Sequence, residues 1–136
     1  MFRSVELEDY MLDNPVKVSQ DADLFEAVQL ILDNKISGLC VTNEKGELVG
    51  VLSELDCLNA ILSAMYDNRT SVGTVKDYMT TSVVSSSLHE DIVDVAADML
   101  KNRHRRRPVV KDGKLVGQIT CRQLLRAVKD FSSKAS

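Results

Sequence analysis

Between Lys101 and Arg107 the chain places five of its 17 basic residues: Lys101, Arg103, Arg105, Arg106 and Arg107, with His104 among them. The formal net charge is −3, so this is a knot of cations in an acidic chain. It stands directly before Pro108, Val109 and Val110, which read as the start of a buried strand. Such a knot suits a compact anion held at one point. It does not suit a nucleic-acid binder, which spreads basic charge over a whole face. Aromatic residues for stacking bases are also scarce, at 4%. Lys101 and Arg103 have a simpler use as cations at a helix C-terminus. His104 reads as a surface residue at the same helix end.

Other chemistry is thin. Cys40, Cys57 and Cys121 make an odd number with no CxxC spacing, which points to a reduced, cytoplasmic protein whose thiols fill core or surface. His89 and His104 lie at no ligand spacing from them, so no metal site is expected. No apolar run reaches the roughly 18 residues of a membrane span. The opening MFRSVELEDYM has acids where a signal peptide needs an apolar stretch. There is no nucleophile–base pair and no Gly-rich phosphate loop, so the chain does not read as an enzyme. DGKLVG reads as a hairpin turn.

The elements that must position the arginines come in two copies. Asp9-Tyr10-Met11 recurs as Asp77-Tyr78-Met79, and the same offset pairs Leu24 with Ile92, Ala27 with Val95, Ile31 with Met99 and Val41 with Val109. After Glu44 the second copy drops one residue, and GELVGVLS at 46–53 then matches GKLVGQIT at 113–120. The indel falls in a turn, where indels are tolerated. Each copy predicts a helical turn carrying DYM, then a short strand at Val16–Ser19 or Val83–Ser85. An amphipathic helix follows, with Leu24, Ala27, Val28, Ile31 and Leu32 on one face, or Ile92, Val95, Ala96, Met99 and Leu100. SLHE at 87–90 reads as a capping box for the second of these helices. Two strands joined by a Gly turn come next. A closing helix uses Leu55, Leu58, Ile61, Leu62 and Met65 in copy one, and Leu124, Leu125, Val128 and Phe131 in copy two. The expected divisions are repeat one at 1–66, a linker at 67–73 inside the polar YDNRTSVGT, repeat two at 74–131, and a tail at 132–136. One copy alone would have a marginal core; two can bury each other.

This pattern resembles the CBS domain, and the pair resembles a Bateman module. The likeness is carried by DLFEAVQLILDNKISGLCVTNEKGELVGVLSELD and DIVDVAADMLKNRHRRRPVVKDGKLVGQITCRQ, and it covers about residues 5–130. It implies an α/β fold of two β-α-β-β-α repeats, packed sheet to sheet about a pseudo-twofold axis. It also implies a regulatory module that binds an adenine nucleotide, AMP, ADP or ATP, in a cleft between the repeats. The family's nucleotide motif is a Ser or Thr followed three residues on by Asp, which accepts from both ribose hydroxyls. In copy one these are Ser53 and Asp56. In copy two they are Thr120 and Gln123, and Gln brings one carbonyl oxygen and no charge. Read without the family, either pair is an ordinary helix cap.

The resemblance further assigns phosphate to Arg105 and Arg106, three and two positions before Pro108, and to Arg122, two after Thr120. The purine is expected against Val51 and Val84. The mirror-related site would have Ser37, Gly38 and Leu55 in place of the three arginines, set beside Gln123. One site is therefore complete and the other is degenerate. Arg107 stands where the family has an apolar residue, and the open readings are a fourth phosphate contact or an outward side chain. A homodimer through the helices at 24–32 and 54–65 is expected. The alternative function is a ligand-free interaction or oligomerisation module. The regulated partner is not legible.

Overall fold

The computed structural model describes the backbone of residues 4–135 and side chains as far as Asp130. Phe131 and the tail therefore lie outside the described side chains. The chain forms two compact units. One runs from Val16 to Val83; the other joins the residues up to Pro15 with those from Val84 onward.

The first unit contains β2 (Lys17–Ser19), α1 (Leu24–Asn34), β3 (Gly38–Thr42), β4 (Leu48–Ser53) and α2 (Glu54–Tyr66). The second contains β1 (Leu12–Asp13), α3 (Ile92–Asn102), β5 (Arg106–Lys111), β6 (Lys114–Thr120) and α4 (Cys121–Ala135). Each has a three-stranded sheet, ordered β2-β3-β4 in the first and β1-β6-β5 in the second. This is the α/β repeat architecture expected, with two helices per unit.

The leading segment of each repeat packs in the unit built by the other repeat's body. In the first unit a 3-10 turn at Val75–Asp77 is bound by Leu24 N–H to the Gly73 carbonyl and Val75 N–H to the Ala22 carbonyl, both 3.0 Å. In the second, the turn at Leu7–Asp9 is held by Leu7 N–H to the Glu90 carbonyl, 3.0 Å, and Ile92 N–H to the Val5 carbonyl, 2.7 Å. The next residues then lie along a sheet edge. Leu12 pairs with Gln118, and Thr80 bridges Val51 at the equivalent place. A glycine makes each approach possible. A Cβ on Gly50 would sit 2.7 Å from Met79 Sδ and 2.9 Å from the Thr80 carbonyl; on Gly117 it would sit 2.6 Å from Met11 Sδ.

The helices begin where short acids cap them. Asp23 accepts from Phe25 N–H, and Asp91 accepts from Val93 and Asp94 N–H. The cap of α3 is thus Asp91, not the SLHE box; there Glu90 turns back onto the Ser87 N–H just before the helix. Both helices end on a left-handed residue, Lys35 at φ 53° and Arg103 at φ 57°.

Two expectations about faces fail for physical reasons. On α1 and α3 the buried residues are Leu24, Ala27 and Ile31, and Ile92, Val95 and Met99, as the helical period predicts. Leu32 and Leu100 are exposed. On α2 the predicted face is largely turned outward. Its buried residues are Cys57, Ala60 and Ala64, small side chains that let the helix backbone lie close to the first unit's core. Leu55, Leu58, Leu62 and Met65 are exposed, and Ile61 is partly buried. The strand expected at Val83–Ser85 is a single parallel bridge, Ser86 to Val109. Pro108 has no N–H to extend that ladder toward Val84, whereas Cys40, at the same place in repeat one, pairs with Lys17.

Candidate functional site

At the start of α2, Ser53 and Asp56 cap each other. Ser53 Oγ accepts from Asp56 N–H at 3.1 Å, and Asp56 Oδ2 accepts from Ser53 N–H at 2.9 Å. Ser53 pairs across the sheet with Gly38, and Glu54 N–H donates to the Ser37 carbonyl at 3.0 Å. The structure therefore brings Ser53 and Asp56 beside Ser37 and Gly38. The cap uses one carboxylate oxygen of Asp56 and leaves a second for other work. Both residues are partly exposed. Val51, two residues earlier, exchanges both backbone hydrogen bonds with Thr80, at 2.9 and 3.0 Å, and its side chain is half-buried.

The second unit repeats the arrangement with different chemistry. Gln123 Oε1 accepts from Thr120 N–H at 2.9 Å, and Thr120 Oγ1 accepts from Gln123 N–H at 3.1 Å. The one carbonyl oxygen of Gln123 is thus spent on the cap, with the Thr120 hydroxyl also donating to it at 3.1 Å. Arg106 pairs across the sheet with Thr120, and Cys121 N–H donates to the Arg105 carbonyl at 3.0 Å. Arg122 follows in the first turn of α4. Arg105, Arg106 and Arg122 therefore meet at the N-terminal end of α4, where α4 has no acid in its first turn and α2 has Glu54 and Asp56. Cations at a helix N-terminus oppose the helix dipole, and an anion there relieves both. Arg105 and Arg122 are exposed, with no carboxylate at ion-pair distance among the described residues. Val84, the second purine candidate, is 48% exposed in this same unit.

Arg107 fits neither open reading. It is 97% buried, since only 3% of it remains exposed, and Nη2 bonds Asp98 Oδ2 at 2.6 Å. Nη1 reaches Ser86 Oγ at 3.5 Å, and Nε has no partner. The Arg107 hydrogen bond holds the Asp98 carboxyl below the usual range. In repeat one the same three places are Leu39, Leu30 and Val18, all apolar. In the sequence Arg107 stands as one cation of a run, and nothing in that run points to Asp98 or Ser86. Comparing the copies position by position exposes three apolar-to-polar changes together.

The remaining singled-out residues are unremarkable. His104 is half-buried, and its N–H closes α3 on the Met99 carbonyl at 2.9 Å. Lys101 lies in the last turn of α3, and Arg103 follows it as the cap. Cys40 and Cys57 are buried and Cys121 is exposed. Burial, then the charges of Asp56 and Glu54, push the Cys57 thiol up, so it stays protonated. The described residues contain no cluster able to hold a metal ion and no helix long and apolar enough to cross a membrane.

Comparison with known proteins bears on this arrangement. The chain is 30% identical over 120 residues to the uncharacterized protein MJ1225 of Methanocaldococcus jannaschii; the match covers 88% of this chain and 41% of that one, so the chain spans less than half of that relative. Its fold matches CBSX2 of Arabidopsis thaliana in complex with AMP, with a TM-score of 0.84 and 29% identity, covering 95% of this chain and 99% of CBSX2. It also matches the CBS domain pair of MJ0100 in complex with 5′-methylthioadenosine and S-adenosyl-L-methionine, with a TM-score of 0.74 and 25% identity, covering 92% and 96%. The CBS domain family matches twice, at residues 7–63 and 75–130. Two full matches, one for each repeat read from the sequence, make this chain a tandem pair of the CBS domain family.

Proposed function

We propose that the pair is a regulatory sensor of an adenine nucleotide, AMP, ADP or ATP. The observation that carries this is the gathering of Arg105, Arg106 and Arg122 at the N-terminal end of α4, whose first turn contains no acid. Ser53 and Asp56 take the ribose, with the carboxylate oxygen that the cap leaves over. The three arginines take the phosphates, and Val51 and Val84 contact the purine. Support comes from the relatives in complex with AMP and with adenosyl compounds. Phosphate contacts favour the nucleotides over the sulfonium compound, which is cationic. The site built on Thr120 and Gln123 is degenerate, because its Gln oxygen is used and no arginine stands at Ser37, Gly38 or Leu55. The protein works in the cytoplasm, where thiols stay reduced. It has a regulatory and not a catalytic role.

The pair also acts as a homodimer, because large apolar side chains on α2 face outward: Leu55 is 76% and Met65 67% exposed. This second observation would carry a ligand-free interaction module if nucleotides do not bind. Thermal unfolding with AMP, ADP, ATP, adenosine and inorganic phosphate decides between the two. A nucleotide at about 100 times its Kd stabilises the fold by about 2.7 kcal/mol. No shift with any adenine compound would leave the interaction module.

A further inference from the structure

We infer that the second unit carries a pocket for a small α-amino acid with a basic side chain, at the start of α3 and against the buried Arg107. A cavity of about 280 Å³ is lined by Glu90, Asp91, Asp94, Val95, Asp98 and Arg107. Two of its acids belong to the fold. Asp91 caps α3 as Asp23 caps α1, and Asp94 stands in the first turn as Glu26 does. The other polar groups have no such use. Repeat one puts Ala22, Leu30 and Leu39 where the cavity has Glu90, Asp98 and Arg107. It puts Val18 in place of Ser86, whose hydroxyl Arg107 Nη1 reaches. The repeat is thus built from apolar residues at these places, and the polar set is not needed to form it.

The ligand class follows from what the lining leaves unsatisfied. Arg107 is 3% exposed, and its Nε–H has no acceptor among the described residues. A buried guanidinium N–H needs an acceptor. Around it the cavity sets four carboxylates. Asp98 spends one oxygen on Arg107 Nη2, Asp91 one on its cap and Glu90 one on the Ser87 N–H. Asp94 is exposed, and its carboxylate has no partner among the described residues. The cavity therefore calls for one acceptor at Arg107 and cationic donors at the acids. A metal ion brings no acceptor, and the described residues hold no cluster able to ligate one. A diamine brings donors alone. An acidic amino acid adds a second negative charge to a cavity with an excess of them. A basic α-amino acid brings a carboxylate for Arg107 and two cationic groups for the acids, all in charge-assisted hydrogen bonds. The cavity lies just under the roughly 300–1,000 Å³ of drug-sized sites, which suits so small a ligand.

None of the lining residues is assigned to the nucleotide, so the two readings fail separately. Calorimetric titration of the whole chain with L-lysine, L-arginine, cadaverine and L-glutamate tests the pocket. Lysine and arginine bind. Cadaverine, which is lysine without its carboxylate, binds about tenfold more weakly or worse, and glutamate does not bind. Asp94→Asn changes an exposed side chain, so thermal unfolding of the free chain stays as it was while lysine binding weakens about tenfold. Ser86→Val, Asp98→Leu and Arg107→Leu together, which copy repeat one, abolish lysine binding. Cadaverine that binds as tightly as lysine overturns the role of Arg107 and with it the amino acid. Lysine and arginine that fail to bind at millimolar concentration, or an Asp94→Asn variant that binds lysine unchanged, overturn the pocket. A chain that binds lysine and not AMP overturns the nucleotide reading alone.

Discussion

The Arg107 guanidinium lies 2.6 Å from the Asp98 carboxylate, at the place where repeat one puts Leu39 and Leu30. Arg107 is buried, and the Asp98 side chain is 47% exposed, so the pair reaches from the core to the solvent. Removing the carboxylate strands a buried cation, which is costly, whereas replacing a whole ion pair by packed apolar groups is often neutral or better. Asp98→Ala therefore lowers the melting temperature. Changing Ser86→Val, Asp98→Leu and Arg107→Leu together, which copies repeat one, restores it. The check is thermal unfolding of both variants; a triple variant that melts below Asp98→Ala would contradict the argument.

The same pair sets an acid limb. The native carboxyls of Asp98, bonded by Arg107, and Asp77, bonded by the Thr74 N–H, both titrate below the ordinary 3.8. A depressed native value contributes stability that is fully present above the unfolded value. That contribution is lost as pH falls through the native one. Urea midpoints should thus hold between pH 7 and 5 as far as these groups are concerned and drop below about pH 4. Asp98→Asn should make that drop shallower. An unchanged limb would remove the role assigned to the Arg107 hydrogen bond.

Much of this was legible in the sequence, and what was not has identifiable causes. On α1 and α3 the helical period found the buried Leu24, Ala27 and Ile31, and Ile92, Val95 and Met99, and overreached only at the edge of the face, where Leu32 and Leu100 are exposed. On α2 the large residues face outward and Cys57, Ala60 and Ala64 face inward, so apolar spacing selected the wrong side. The leading segments could not be placed, because a DYM adjacent to one repeat in sequence packs on the other repeat's body. The only sequence trace of that is Gly50 and Gly117, small where the neighbouring strand residues are large. The capping role of Ser53 and Asp56 was among the readings of the sequence. That the Gln123 oxygen is spent on its own cap depends on a side-chain rotamer, which residue type and spacing do not specify.

Those two glycines supply a further prediction. A Cβ at Gly50 meets a methionine sulfur, which can move, and the Thr80 carbonyl at 2.9 Å, which is held by Val51 N–H. At Gly117 the backbone contact is the Leu12 carbonyl at 3.0 Å. Gly50→Ala and Gly117→Ala should each destabilise by about 1–3 kcal/mol, the usual cost of overpacking. Denaturant titration checks this. Gly46 gives the contrast, since nothing lies within 4 Å of its Cβ position and only its φ of 80° opposes substitution.

Lys35 ends α1 at φ 53°, a conformation in which a Cβ is strained. Glycine is the usual residue at such a position. Lys35→Gly should stabilise the first unit by up to about 1 kcal/mol. The effect appears as a raised urea midpoint with unchanged slope; a lowered midpoint would mean that the Lys35 side chain contributes more than its backbone costs.

The nucleotide proposal is tested most cleanly by exchanging residues between the repeats. Gln123 shows that a neutral carbonyl oxygen satisfies the cap that Asp56 satisfies in repeat one. Asp56→Gln should therefore leave the unliganded fold within about 0.5 kcal/mol, as for a surface change. It removes the second acceptor oxygen and the charge, so ribose binding should fall. A hydrogen bond to a charged group contributes about 1.5–3 kcal/mol, which is tenfold or more in Kd. Calorimetric titration with adenosine and with AMP should both register that loss. Arg122→Ala should weaken AMP by a similar factor and leave adenosine nearly untouched, because adenosine has the sugar and no phosphate. Gln123→Asp supplies the missing carboxylate at the degenerate position, but Ser37, Gly38 and Leu55 still supply no cation. It should gain weak adenosine binding and no preference for AMP. Equal losses of both ligands in Asp56→Gln and Arg122→Ala would contradict the division of labour between ribose and phosphate, and no loss in either would place the nucleotide elsewhere.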